Sequence, residues 1–167
     1  MRRALLLTLL PLAACTTGDA GAQPAPARYE AIAFEINSWG RSLGSWEVHA
    51  DGTVSHVNVE GSVFNAHRRE HREFTIDGAA YRRLAAIAAE LPEPRPQRAD
   101  CKERATDLPY GTLTLSRGGV AEAIAFDTGC LDDRYQAFVG KLHAMDELVD
   151  DWAEQQPVDR VEEVARQ

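Results

Sequence analysis

Apolar and polar positions alternate in two parts of the chain and recur with helical spacing in two others. Ile32, Phe34 and Ile36 alternate with Ala33 and Glu35, the period of a half-buried strand. Asn37 to Gly44 breaks this pattern and predicts a loop. The runs GSWEVHA and TVSHVNVE then flank Asp51-Gly52, two strand-like segments around a turn dipeptide. With Asp51 and Gly52 as the two loop residues, Ala50 faces Thr53, Trp46 opposes Val57 and Val48 opposes Ser55 on one face. On the other face, Glu47 opposes His56 and His49 opposes Val54. A polar stretch from Val63 follows, and Phe74 and Ile76 end it with the alternation of a fourth strand.

Asp77 is placed to cap a helix running to Leu91, with Tyr81, Leu84, Ala88 and Leu91 on one side and Pro92 as its stop. PEPRP, from Pro92 to Pro96, predicts an extended connector. Thr112 to Ser116 and Ala121 to Asp127 form a second hairpin around Gly118-Gly119, whose two-residue register pairs Leu113 with Ile124 and Gly111 with Phe126, and also Leu115 with Glu122. Leu131, Tyr135, Phe138, Leu142, Met145, Val149 and Trp152 recur at spacings of four and three, a single helical stripe with Asp132 or Asp133 at its start as cap or dipole partner. The elements predict an α+β domain: an antiparallel sheet of about six strands, ordered as a four-strand meander, helix, hairpin and helix, with both helices on one face. The globular domain is expected over residues 29–156, and the charged tail 157–167 is expected to fray.

The N-terminus changes the picture from fold to address. Arg2 and Arg3 precede an apolar run from Ala4 to Leu12, too short for the roughly 20 residues that span a bilayer. Leu12-Ala13-Ala14-Cys15 then closes the run, and the segment resembles a bacterial lipoprotein signal with its lipobox. The resemblance implies cleavage after residue 14 and lipidation of Cys15 with diacylglycerol and a further acyl chain such as palmitate. More than one chain on a residue gives stable anchoring, where one alone binds marginally. Thr16, rather than an aspartate, follows the cysteine, which resembles lipoproteins sorted to the outer membrane. Residues 15–28, rich in Ala, Gly and Pro, predict a flexible tether that would hold the domain in the periplasm.

Charge and cysteines narrow the partners. The chain has 18 Lys+Arg and 26 Asp+Glu, and loss of residues 1–14 removes Arg2 and Arg3 alone, leaving a formal charge of −10. Such an acidic body does not suit nucleic acid. Membrane contact is expected through the lipid anchor, and an envelope protein is the expected partner. Cys101 and Cys130 remain after lipidation of Cys15, and in an oxidising compartment they are expected to form a disulfide.

Two clusters invite a reading as chemistry. His67-Arg68-Arg69-Glu70-His71 resembles the H-x-x-E-H zinc motif of inverted zincin metallopeptidases, which would make His67 and His71 ligands and Glu70 the base. That motif needs a helix, yet here it runs into the strand-like segment ending at Ile76, and a third ligand is not evident. The first hairpin's register would also place Glu47, His49 and His56 on one face, within reach of a metal ion. No G-x-S-x-G elbow, P-loop or dinucleotide fingerprint is present, so no cofactor and no enzymatic activity are expected. Asp107 and Asp127, each beside a turn, would form a carboxylate pair only if the second hairpin brought them together. Trp39, Arg41 and Leu43, in the expected loop between the first two strands, are the candidates for partner contact: an aromatic beside an arginine on a turn over a rigid sheet is typical of binding hot spots.

Overall fold

The computed structural model describes residues 29–166; the signal segment, Cys15 and the tether lie outside them. The chain forms β1 (Ala31–Ser38), β2 (Arg41–His49), β3 (Thr53–Glu60), β4 (His67–Thr75), α1 (Gly78–Ala89), β5 (Tyr110–Arg117), β6 (Val120–Asp127), α2 (Asp133–Ala153) and β7 (Arg160–Val164). The strands make one antiparallel sheet of seven, in the order β6-β5-β1-β2-β3-β4-β7. The fold is α+β as expected, with seven strands rather than six. Pairing of β5 with β1 welds the second hairpin onto the meander and places β1 inside the sheet, between β5 and β2.

Alternate strand residues supply the core. Ile32, Phe34, Trp46, Val48, Val54, Leu113, Leu115, Ile124 and Phe126 are buried in one cluster with Tyr81, Leu84 and Ala88 of α1 and with Tyr135, Phe138, Leu142, Met145 and Val149 of α2. Both helices therefore cover the same face of the sheet. Phe34 stacks between Trp46 and Phe126, with ring centroids at 5.5 and 5.2 Å. Asp77 caps α1 as expected, its Oδ1 accepting from the amides of Ala79 and Ala80 at 2.8 Å each. The carboxylate of Asp132, by contrast, turns away from α2 and accepts from the amides of Lys102 and Glu103.

Three expectations fail, each for a local reason. The β2–β3 turn is longer than Asp51-Gly52: Val48 opposes Val54, and Trp46 opposes His56 rather than Val57. The Ala50 amide is taken by the carbonyl of Glu30, while Asp51 Oδ1 accepts from Thr53 N at 2.9 Å, which draws Ala50 into the loop. Gly52 has φ +93°, and a Cβ there would lie 2.3 Å from the Ile76 carbonyl oxygen, so glycine alone fits. Asn37 to Gly44 is not a loop but β-structure, broken only by Trp39 and Gly40 and by a bulge: Ile36 pairs with Gly44 and Asn37 with Ser42, leaving Leu43 as the extra residue. Within the tail, Arg160–Val164 pairs with β4 as an edge strand, Arg68 opposite Glu163 and Arg69 opposite Glu162. Opposite charges meeting across the pair, rather than apolar alternation, define that strand.

Candidate functional site

β1 and β2 turn on Trp39 and Gly40, with φ +52° and +74°. Both central residues in the left-handed region make a type I′ turn, where Asn-Gly is the favoured pair and a bulky aromatic is strained. Burial does not explain the tryptophan, because its residue is 65% exposed. The Gly40 amide donates to the Tyr110 hydroxyl at 2.9 Å, fixing the turn against the first residue of β5.

A cleft of about 270 Å³ opens at this turn, lined by the apolar Trp39, Leu108 and Tyr110 and by the charged Arg98, Arg104 and Asp107. Leu108 is 43% and Tyr110 37% exposed, so three of the domain's exposed large apolar residues gather here. Asp107 has φ +66° and, with Trp39, completes the set of non-glycine residues with positive φ among those described. At the back of the cleft, Asp127 Oδ1 accepts from Gly129 N and Oδ2 meets Arg98 Nε at 2.8 Å. The structure thus brings Asp107 and Asp127 to one cleft, though Asp127 is committed to Arg98. Arg104 donates to the Arg98 carbonyl and makes no ion pair among the described residues.

The polar wall rests on Cys101–Cys130, a disulfide with Cα atoms 5.7 Å apart, as expected. Ala105 N bonds to Gly129 O and Leu131 N to Glu103 O around it. A wider hollow of about 510 Å³ has Cys101 in its lining, together mainly with charged groups of Asp100 to Glu103 and Asp132 to Arg134. Its central carboxylate, Asp132, is occupied by backbone amides.

Of the predicted contact residues, only Trp39 stands free. Arg41 turns toward the β3–β4 connection, its Nη1 donating to Val63 O at 2.8 Å and its guanidinium 5.8 Å from the Phe64 ring centroid. Leu43 is the half-buried bulge residue. Leu108, Tyr110, Arg98 and Arg104 join Trp39 without a pattern that marks them in sequence, apart from the Leu108-Pro109-Tyr110 run in a polar loop.

The corrected register separates the histidines. Glu47 and His49 remain together on the uncovered face, 3.4 Å apart, but His56 points to the helix side. The H-x-x-E-H segment is strand β4, not a helix, so Glu70 faces opposite to His67 and His71. Glu70 accepts from Arg68 and Arg72; His71 lies between Arg160 and Glu162; His67 Nδ1 meets Asn65 O. Among the described residues, the group of His, Cys, Asp or Glu with ligand atoms gathered tightly enough for a metal is Cys101, Cys130 and Asp132, whose two sulfurs are joined to each other.

His56 instead belongs to a polar wedge beneath α2. Its Nε2 lies 2.7 Å from Asp150 Oδ1, and one turn earlier Asp146 Oδ1 accepts from Trp46 Nε1. Burial, reinforced by the negative charge of Asp150, pushes the Asp146 carboxyl up to about 6 against the opposing Trp46 hydrogen bond and nearby His143 and His56.

No described helix is long and apolar enough to cross a membrane. No protein family matches the chain, and no curated protein is similar to it.

Proposed function

We propose that the chain is an exported lipoprotein, fixed by lipid on Cys15 to the bacterial envelope, by preference the outer membrane. Its domain then binds an envelope partner in the periplasm with the Trp39 end of the sheet. The observation that carries this reading is a tryptophan kept both solvent-exposed and in a strained turn, since strain retained without a packing return marks a working position.

Direction supports it. The chain enters the domain at Tyr29, β1 starts at Ala31, and the Trp39 turn stands at the other end of that strand, on the order of 25 Å away. A tether ending at residue 28 would hold one end of the sheet toward the membrane and present Trp39 away from it. His49 pairs with Ala31 and so marks the tethered end.

The anchor is tested by growing cells with an alkyne-bearing fatty acid and separating membrane from soluble fractions. The wild-type chain is expected to carry label and sediment with membranes, and Cys15→Ala to lose both. An unlabelled wild-type chain, or a labelled Cys15→Ala chain, contradicts the anchor.

A further inference from the structure

We infer that the cleft beneath Trp39 receives the free carboxylate end of a peptide chain whose last side chain is apolar. The inference rests on reading the Trp39 end as the binding surface and names what occupies it.

About 270 Å³ is below the usual range for a whole small-molecule ligand and suits one or two residues at a chain end. β1, β2 and β5, whose ends meet the cleft, are interior to the sheet, and of the edge strand β6 only its last residue, Asp127, reaches it, with its N–H donating to the Tyr135 hydroxyl and its carbonyl accepting from Cys130 N. A peptide therefore cannot add here as an eighth strand and enters end-on.

The chemistry of the walls then selects the end. The described residues carry 15 Lys+Arg against 25 Asp+Glu, yet two arginines stand together on this wall. Arg98 is held in place through Nε by Asp127, which leaves its two Nη groups to donate; Arg104 keeps all but one Nη2 hydrogen. A planar fork of N–H donors matches the two oxygens of a carboxylate. Trp39 and Leu108 line the same cleft and offer an apolar surface for the final side chain. Asp107 on the same rim opposes an anion and so supplies a signed test.

Tryptophan emission reports the site, because Trp46 is buried and hydrogen-bonded and Trp152 is partly buried against the core, whereas Trp39 is exposed. The full chain in detergent would be titrated with a pool of N-acetylated tripeptides, randomised in sequence with free C-terminal carboxylates, and with the same pool amidated. The acid pool is expected to give a saturable change in emission and to bind at least tenfold more tightly than the amide pool. Trp39→Ala should abolish the signal, Arg104→Ala should weaken binding at least tenfold, and Asp107→Asn should tighten it several-fold, all with unchanged thermal midpoints. No response to the acid pool, equal response to both pools, or weaker binding by Asp107→Asn overturns the inference. Crosslinking from position 39 in cells separates the two ideas: if it persists when the peptide pools fail, the surface stands and the carboxylate end falls. If both fail, the surface falls as well.

Discussion

Trp46 on β2 donates its indole N–H to Asp146 Oδ1 on α2 over 2.9 Å, linking positions 100 residues apart. The bond fastens the central sheet to the last helix at a point where Trp46 is otherwise packed on Phe34. It also explains how a carboxyl group is tolerated on the buried side of α2. Trp46→Phe keeps an aromatic ring but removes the donor and part of the buried indole volume, leaving Asp146 unsatisfied, and is expected to cost at least roughly 1–3 kcal/mol in urea unfolding.

The same carboxyl makes stability depend on pH. Asp146 titrates near 6 in the fold, above its ordinary 3.8. Between these values the unfolded chain has released the proton and the native chain still holds it, so this group's contribution falls as pH rises from about 4 to about 6 and is level above that. The full shift corresponds to at most about 3 kcal/mol. Asp146→Asn retains an acceptor for Trp46 without the charge. Above pH 6 it is expected to be more stable than wild type, and its advantage should vanish near pH 4, as read from thermal midpoints across that range.

Cys101–Cys130 spans 29 positions, and its loss is expected to cost roughly 3 to 4 kcal/mol on the chain-entropy view. Because the bridge backs the polar wall of the cleft, the paired change Cys101→Ser with Cys130→Ser should also raise amide hydrogen exchange over residues 98–109. Exchange in β1 and β2 should change much less.

β7 covers the edge of β4, where Arg68 reaches Glu60, Glu70 and Glu163. Ending the chain at Gln156 removes β7 and exposes the N–H and C=O groups of β4, an invitation to pair with another copy. Light scattering after size exclusion is expected to show self-association of the truncated chain and a monomer for the complete domain.

Where burial is one-sided and turns are short, the residues spell the fold. The Tyr81–Leu84–Ala88 stripe and the helical spacing from Tyr135 to Val149 appear as buried helix faces. The Gly118-Gly119 turn gives the expected register, Leu113 with Ile124 and Leu115 with Glu122. The Asp51-Gly52 dipeptide alone implies a β2–β3 register one residue away from the actual one, because the competing partner of Ala50, the Glu30 carbonyl, is remote in sequence. That single step moved His56 to the helix side and dissolved a supposed metal cluster. β7 was illegible because its pairing rests on charge complementarity with β4, which has no period within Arg160–Val164 itself. Trp39 could be singled out from sequence, but Leu108, Tyr110, Arg98 and Arg104 meet it only because β5 pairs with β1.

The central claim is that the Trp39 end is the surface this protein works with. The most direct measurement places a photo-crosslinking amino acid at position 39, and separately at position 49 at the other end of the sheet, in the full chain inside growing cells. The account predicts a discrete, irradiation-dependent adduct from position 39 that Arg104→Ala diminishes, with none from position 49. An adduct from position 49 with none from position 39 would contradict it.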